Sequence, residues 1–340
     1  MKFLLLLSTL YCTSSALRFA MIGDTGGLPL VGTTVAQRAV TRSMEQMAEA
    51  SPGLDAVLNL GDNIYFTGAS SVDDNRFHNS FEDPYDHPSL DVPWLMAAGN
   101  HDHYGNIQAE VDYTARSQKW FMPSLYYLRR FISPTDGSTV DFLFIDTVVA
   151  CGNTRDLQSA NFAQFLTSTI LGGDLVPQGP SNKTAADIQW AWADYLFVAG
   201  HYPVLSVAAQ GNIQCLFDNL QPLLYKYNAT AYLSGHDHTL QHIQQYQGGQ
   251  QMNYIVSGAG SRVESGTKNF DYVERVADVM YYYPEKTNLF DLLGLSALSM
   301  LGLSDGGFIM INMDKTSAKF DFRDMNGNQK YVTELKPRVF

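Results

Sequence analysis

Six side chains of metal-binding type come at the ends of short apolar runs that close in glycine, five of them directly after the glycine and the sixth two residues later. They are the oxygen and imidazole donors Asp24, Asp62, Asn100, His201, His236 and His238. Donors of these kinds suit hard or borderline metal ions rather than a thiolate site. They are enough for two ions if one carboxylate bridges them, and two ions can hold both the attacking and the leaving oxygen of a phosphoryl displacement. The pattern predicts metal-assisted chemistry on a phosphate ester.

The segments that carry these donors predict buried strands, because each is a short apolar run closed by glycine. The runs are 18–22, 56–60, 94–98, 195–199 and 229–234. Ligands collect at the carboxyl ends of strands in layered α/β sheets, so we expect one cluster of donors. Unrelated strand-to-turn junctions would explain the glycines but not the repeated choice of Asp, Asn and His.

The rest of the pattern predicts outer helices and further strands. Apolar residues recur at helical spacing between residues 36 and 48, and Pro52-Gly53 ends that pattern. Residues 140–145 and 254–257 are candidate strands, and the runs 308–313 and 318–322 predict a hairpin. Two packed sheets flanked by helices accommodate these elements in an α/β fold.

Composition and charge narrow the class of protein. The chain has 340 residues, 45% of them apolar, and we expect a signal peptide at 1–16 followed by one catalytic domain at 17–340. Cleavage would remove Lys2 and no acid, which leaves 21 basic and 34 acidic residues and a net charge of −13. So acidic a surface disfavours nucleic acid and anionic membranes. The apolar run in the leader is too short to span a bilayer.

The expected secretory route predicts a disulfide bond and glycosylation at two sequons. Cys12 lies in the expected leader, and the secretory route favours a bridge between Cys151 and Cys215 over two buried free thiols. Asn182 and Asn228 open Asn-x-Thr sequons and are candidate glycosylation sites.

Five spaced motifs together resemble the metallophosphoesterase superfamily and, within it, the short purple acid phosphatases of animals, the tartrate-resistant type. The similarity covers residues 18–262 and resumes near 305–335. The motifs are Gly23-Asp24-Thr25-Gly26, Gly61-Asp62-Asn63-Ile64-Tyr65, Gly99-Asn100-His101-Asp102, Val198-Ala199-Gly200-His201-Tyr202-Pro203 and Gly235-His236-Asp237-His238. The resemblance implies a two-sheet metallophosphoesterase fold with the metal site at the carboxyl ends of strands.

The resemblance also implies two different metal ions. Many metallophosphoesterases have Asp-x-His in the first motif, whereas Gly26 stands here in the histidine position and Tyr65 takes its place as a ligand. The implied Fe(III) ligands are Asp24, Asp62, Tyr65 and His238. The implied ligands of the divalent ion, Fe(II) or Zn(II), are Asp62, Asn100, His201 and His236. The alternative for Tyr65 is a buried ring that packs beneath the site.

By this resemblance the protein is a secreted or lysosomal acid phosphatase, acting as a monomer on phosphate monoesters of small molecules or phosphoproteins. A metal-bound hydroxide would attack phosphorus, His101 would protonate the leaving group, and Asp102 would orient the His101 ring. Alternatively, His101 only positions the phosphate together with Asn100. The competing functions are a phosphodiesterase or nuclease on the same scaffold and a catalytically impaired metal-binding protein.

Three departures from the family pattern stand out. Ala209-Gln210 replaces a Glu-His pair, so Gln210 is a candidate phosphate ligand that has no proton to donate. Residues 184–195 are shorter than in relatives, and 262–304 form a longer, apolar insertion. Within it, 289–303 is either a lid or membrane-surface helix or a helix packed on the domain. Whether the Gly/Pro/Asn-rich loop 152–185 is cleaved stays open.

Overall fold

The computed structural model describes residues 16–28, 32–50, 53–152, 193–264, 266–284 and 303–339. In these parts of the chain, fourteen strands form two seven-stranded sheets. Numbered in chain order, the strands are β1 Leu17–Ile22, β2 Ala56–Asn59, β3 Trp94–Met96, β4 Trp120–Phe121, β5 Tyr127–Ile132, β6 Thr139–Phe144, β7 Tyr195–Ala199, β8 Ala231–Ser234, β9 Leu240–Gln247, β10 Gln250–Ser257, β11 Asp278–Tyr283, β12 Gly307–Met313, β13 Ala318–Asp324 and β14 Gln329–Leu335.

Both sheets are mixed, with parallel strands at their centres. The first has the order β14-β13-β12-β1-β2-β3-β4, and β1 to β4 run parallel to one another. The second has the order β11-β9-β10-β8-β7-β6-β5, in which β6, β7, β8 and β10 run parallel. Parallel neighbours end at the same edge of a sheet, so this topology brings the loops after them together.

Short helices cover the outer faces of the sheets. They are α1 Val35–Ala48, α2 Ile107–Tyr113, α3 Thr147–Ala150, α4 Gln214–Asn219, α5 Gln221–Lys226 and α6 Phe270–Val273. Helix α1 begins in a capping box, because the Thr34 hydroxyl accepts a hydrogen bond from the Gln37 backbone N–H and the Gln37 side-chain oxygen accepts one from the Thr34 backbone N–H. Single helical turns cover His78–Glu82, Pro88–Leu90 and Asp102–Tyr104.

Three apolar clusters hold these layers together. One lies between the two sheets and includes Phe19, Phe142 and Phe197. A second packs α1 and α2 on the first sheet, and a third packs α4 and α5 on the second. Alternate residues of one strand serve two clusters: Phe19 faces the other sheet while Ala20 faces α1. The predicted two-sheet fold flanked by helices is therefore confirmed.

The individual elements expected from the sequence also form. All five donor-bearing runs contain strands, namely β1, β2, β3, β7 and β8, and the expected hairpin is β12–β13. Part of the expected insertion 262–304 belongs to the second sheet, because β11 pairs with β9 along its edge. The leader up to residue 15, the sequon at Asn182, residues 184–192 and residues 289–302 lie outside the described residues.

Cys151 and Cys215 form a disulfide with their Cα atoms 5.6 Å apart, which confirms the expected pairing. It joins the end of α3 to α4 across 64 residues of sequence. No helix in the described parts of the chain is long and apolar enough to cross a membrane.

Removing the bridge is expected to destabilise the fold. Its loop is long, and a cross-link lowers the entropy of the unfolded chain, so the double variant Cys151→Ser/Cys215→Ser should lose about 2–4 kcal/mol of unfolding free energy. Urea unfolding of both proteins under oxidising conditions measures the difference. An unchanged unfolding midpoint would show that the bridge does not stabilise the native state.

Candidate metal centre

The donors predicted from sequence converge where five parallel strands end. Asp24 follows β1, Asp62 follows β2 and Asn100 follows β3 in the first sheet, while two histidine-bearing loops follow β7 and β8 in the second. Ligand atoms of Asp24, Asp62 and His201 all lie within 4.8 Å of one another, and the three residues are buried. Two sheets therefore supply one cluster of donors.

Three of the donors occupy left-handed backbone conformations that residues other than glycine rarely adopt. Asp24 has φ 58°, Asp62 has φ 54° and His236 has φ 69°. Such conformations cost on the order of 1–3 kcal/mol each and persist where the surroundings enforce them. Each of the three comes directly after a glycine at the end of its strand, so the chain turns sharply there and the side chain points into the cluster. Strain of this kind concentrates at functional sites.

One half of the cluster joins Asp24, Tyr65 and His238. The Tyr65 hydroxyl lies 3.0 Å from Oδ1 of Asp24 and 3.1 Å from Nε2 of His238, and that Nε2 is 3.4 Å from the same Asp24 oxygen. Tyr65 is fully buried. Burial, together with the charges of Asp24 and Asp62, raises the pKa of Tyr65 well above its usual value. A strong positive charge at this position would be needed to hold the phenolate form.

The other half joins His201, Asn100, Asp62 and His236. Nε2 of His201 lies 3.0 Å from the Asn100 side-chain oxygen and 3.4 Å from Oδ1 of Asp62. The His236 ring centroid is 5.1 Å from that of His201. Burial and the neighbouring His201 lower the pKa of His236 well below its usual value. His236 therefore presents a neutral imidazole, which is the form that binds metal ions.

The tautomer of His201 follows from a backbone contact. Its Nδ1 lies 2.8 Å from the carbonyl oxygen of Leu60 and must donate a proton to it. In the neutral, metal-binding form of the ring, Nε2 would then carry the lone pair, and it faces Asn100 and Asp62. A backbone carbonyl in this position fixes the ring of a metal-ligating histidine.

The Asp62 carboxylate lies between the rings of His201 and His101. Burial opposes its charge, but these two rings outweigh burial and lower the pKa of Asp62 far below the usual range. Oδ1 also accepts a hydrogen bond of 2.9 Å from the His101 backbone N–H. An ionised carboxylate at the middle of the cluster has the position that a bridging ligand requires.

His101 lies at the open side of the cluster. Its Nδ1 is 2.7 Å from the Phe66 carbonyl oxygen, and its Nε2 is 3.9 Å from Oδ2 of Asp62. Its side chain is 14% exposed, whereas that of His201 is fully buried. Burial lowers the pKa of His101, and the charge of Asp62 opposes this effect. The ring thus lies next to Asp62 and is partly open to solvent.

The structure places the Phe66 carbonyl oxygen next to Nδ1 of His101 and gives Asp102 a set of backbone contacts. The buried Asp102 carboxylate accepts hydrogen bonds of 2.8–3.1 Å from the backbone N–H groups of Asn63, Ile64 and Gly99. These groups belong to the loops after β2 and β3. Asp102 therefore fastens the loop of Asp62 and Tyr65 to the loop of Asn100.

Gln210 lies on the surface of a loop attached to the centre. Its side chain is exposed, and its backbone N–H donates a 3.1 Å hydrogen bond to Oδ1 of Asp237, between His236 and His238. The Gln210 side chain could therefore contact a bound phosphate only from the rim of the site.

Sequence reasoning missed two contributors from the loop after β10. Oε1 of Glu264 is 2.7 Å from Nδ1 of His238, and the Arg262 guanidinium lies against the rings of His238 and Tyr65. A signal was present, because a glycine, Gly258, also follows β10 directly. The polar residues come four and six positions later rather than immediately after the glycine.

Comparison with known proteins finds relatives that match along most of the chain. The model of the calcineurin-like phosphoesterase family matches residues 17–240. Tartrate-resistant acid phosphatase type 5 of Mus musculus is 36% identical over 332 residues, covering 95% of this chain and 91% of the relative. Purple acid phosphatase 7 of Arabidopsis thaliana is 28% identical, covering 96% of this chain and 88% of the relative.

A solved structure shares the fold. GAP50, the anchor in the inner membrane complex of Plasmodium, superposes with a TM-score of 0.67 and 20% sequence identity. The alignment covers 96% of this chain and 90% of that one.

Gly99 tests whether the close approach of the loops is needed. A Cβ at Gly99 would overlap Oδ1 and the backbone nitrogen of Asp62, so Gly99→Ala should displace this carboxylate. Since a displacement of about 1 Å can cost about 100-fold in rate, we expect a loss of that size, together with less bound metal. Activity assays and elemental analysis of the purified variant measure the two effects.

Gly266→Ala is the matched control, because the nearest atom to its added Cβ would be an ordinary contact at 3.5 Å. Wild-type metal content and activity in the Gly99→Ala variant would show that the close approach of Gly99 to Asp62 is not needed.

Proposed function

The chain belongs to the purple acid phosphatases of the calcineurin-like phosphoesterase family, and from this premise we propose that it hydrolyses phosphate monoesters at a binuclear centre. The observation that carries the proposal is the placement of Asp62. Its ligand atom lies within 4.8 Å of those of Asp24 and His201, which belong to the two halves of the cluster. One carboxylate between two donor sets is the arrangement that two neighbouring ions require.

The donor chemistry of each half fits a different ion. Asp24, Tyr65 and His238 with Asp62 would hold Fe(III), because a phenolate is a hard, anionic donor. Asn100, His201 and His236 with Asp62 offer imidazole and amide donors, which suit Fe(II) or Zn(II). When bound, the two ions would supply the hydroxide nucleophile and offset the negative charge that develops on phosphate.

The residues around the ions would handle the substrate. We propose that Asn100 and Gln210 bind phosphate oxygens and that His101 delivers a proton to the leaving oxygen. The position of His101 supports this role, because its ring is held by the Phe66 carbonyl at the open side of the cluster. Asp102 would position the loops rather than take part in proton transfer.

The substrate class follows from charge as well as from family. A net charge of −12 for the whole chain disfavours polyanionic nucleic acids. We therefore propose phosphate monoesters of small molecules or phosphoproteins, with hydrolysis by a monomer. Phosphodiesters are the alternative substrate, since the two-metal scaffold also serves that reaction.

We also propose a secreted or lysosomal location, reached through a signal peptide at residues 1–16. The Cys151–Cys215 disulfide supports it, because such bridges persist in oxidising compartments. Asn182 and Asn228 are the proposed glycosylation sites. Asn228 is half-buried, and its Nδ2 lies 3.4 Å from the Val339 carbonyl oxygen, so a glycan there would replace this contact.

Metal content and visible absorption of the purified protein test the centre. We expect two metal ions per chain, at least one of them iron, and a phenolate-to-iron(III) absorption band that Tyr65→Phe abolishes. Tyr127→Phe is the matched control, because this buried hydroxyl bonds to the carbonyls of Met96 and Phe121 rather than to metal ligands.

Kinetic assays with a monoester and a diester complete the test. Faster hydrolysis of the monoester supports the proposal, and faster hydrolysis of the diester supports the alternative. Bound metal without turnover of either substrate would indicate a metal-binding protein that is not an enzyme. Absence of iron, or of the visible band, would overturn the assignment of Tyr65.

His101→Ala separates proton donation from phosphate positioning. Loss of a general acid slows turnover by about 10²–10⁴-fold, so we expect a loss in this range for an alkyl phosphate and an altered pH profile. The loss should be much smaller for p-nitrophenyl phosphate, whose leaving group departs without a proton.

Equal losses for the two substrates would instead show that His101 positions the phosphate. Unchanged turnover and pH dependence would remove His101 from the mechanism. His78→Ala is the control, since this histidine side chain is 65% exposed and pairs with Asp83 on the surface.

A further inference from the structure

Arg262 is a buried arginine that lies against two of the proposed metal ligands. It is 4% exposed and belongs to the loop after β10. This loop is fastened to the centre at two points: the Gly260 N–H donates to the Gly23 carbonyl at 3.1 Å, and the Glu264 N–H donates to the His238 carbonyl at 2.9 Å. Its backbone therefore holds the Arg262 side chain in place from both sides.

The guanidinium of Arg262 covers an aromatic surface next to Asp24 and Asp62. Its central carbon is 4.8 Å from the ring centroid of Tyr65 and 5.9 Å from that of Phe66. Both distances are within the ~6 Å range in which a cation is attracted to the face of an aromatic ring. The attraction is stronger for a phenolate than for a phenol, because the negative charge of a phenolate spreads into the ring.

The same guanidinium faces His238. Its Nε lies 3.2 Å from Nδ1 of His238 and its Nη2 lies 3.3 Å from Nε2. Oε1 of Glu264 is 2.7 Å from Nδ1 of His238 and 3.7 Å from Nε of Arg262. The positive Arg262 and the negative Glu264 therefore both lie next to the His238 imidazole, and Arg262 also lies next to Tyr65.

The hydrogen bonds of Arg262 distinguish it from a structural arginine. Its Nη1 is buried and has no hydrogen-bond partner among the residues that the structure describes. Arg18, which is 8% exposed, instead donates to the Asn312 side chain and to three backbone carbonyls. An arginine that only closed a loop would have its donors satisfied in this way, since an unpaired buried donor costs about 1–3 kcal/mol.

We propose that Arg262 is a positioning residue that tunes the metal centre by placing a permanent positive charge against Tyr65 and His238. The inference rests on the proposed function, because it assumes that these two side chains bind Fe(III). The charge lowers the energy of the phenolate electrons and weakens their donation to the ion. It thereby shifts the phenolate-to-iron band to shorter wavelength and favours Fe(II) over Fe(III). Glu264 acts in the opposite direction, through His238.

Two variants test this inference, one that removes the positive charge and one that removes the negative charge. Their visible spectra and reduction potentials are measured rather than their activity. In Arg262→Met the band should move to longer wavelength, and the equilibrium constant for one-electron reduction of the iron should fall about tenfold, which is about 59 mV for one electron. In Glu264→Gln both quantities should change in the opposite direction. A mediated redox titration of the iron-loaded protein supplies the electrons and measures the midpoint.

Further variants separate charge from packing. Arg262→Lys keeps the charge and should restore most of the wild-type band position. Arg129→Met is the matched control, because this exposed arginine covers the rings of Phe121 and Phe131, away from the metal centre, at 5.4 and 5.6 Å. It should leave the band and the midpoint unchanged.

The outcomes separate this inference from the proposed function. A wild-type protein without iron or a visible band overturns the iron assignment of Tyr65 in the proposed function, on which this inference rests. A wild-type band that stays unchanged in Arg262→Met, or shifts in the same direction in Arg262→Met and Glu264→Gln, overturns the tuning role and leaves the proposed function intact. If Arg262→Met does not load iron, the other two variants decide. The inference requires a band near the wild-type position in Arg262→Lys and a shift to shorter wavelength with a higher midpoint in Glu264→Gln. An unchanged band in Glu264→Gln, or a shift to longer wavelength, contradicts the inference.

Discussion

The hydrogen bond between Nδ1 of His201 and the Leu60 carbonyl joins the two sheets at the point where the donors meet. His201 follows β7 of the second sheet, and Leu60 follows β2 of the first. The bond sets the tautomer of the ring and so determines which nitrogen faces Asp62 and Asn100. This 2.8 Å contact acts together with the apolar cluster between the sheets to fix how one sheet lies on the other. The cluster depends on this registration, since neither sheet carries enough donors alone.

Packing between the sheets makes the strained ligand conformations tolerable. The left-handed backbones of Asp24, Asp62 and His236 each cost on the order of 1–3 kcal/mol. Fully burying one Leu- or Phe-sized side chain stabilises a fold by about 1.5–3 kcal/mol, and the strands that carry these residues bury apolar side chains on both faces. The cores therefore offset the strain and hold the carboxylates and imidazoles close together.

Carboxylates outside the ligand set have two separate roles in this molecule. Asp102 accepts backbone hydrogen bonds from two loops and fixes their spacing. Glu264 orients an imidazole through Nδ1 of His238, so that Nε2 faces Asp24 and Tyr65. Contacts of this outer shell commonly decide the affinity and electronic character of a metal site. In purple acid phosphatases built like this one, the ligand motifs therefore describe only part of the centre.

Local patterns in the sequence were enough to predict the donors, the buried strands and α1. The reason is that each signal lies within a few residues: an apolar run, a glycine and a donor, or the Thr34 cap and the periodic positions after it. Through their resemblance to the purple acid phosphatases, the motifs also predicted that Tyr65 stands in place of an absent histidine. The disulfide partners followed from the small number of cysteines and the expected compartment.

The tertiary structure alone decided which groups surround the donors. His101 precedes Asp102 in sequence, yet its ring bonds to the Phe66 carbonyl, 35 residues away. Glu264 and His238 are 26 residues apart and meet because β9 and β10 return the chain to the same edge of the sheet. The sequence by itself determined which residues could bind metal, because local spacing encodes them. Which carbonyl, carboxylate or guanidinium acts on each of them depends on how two sheets pack, and no local pattern carries that information.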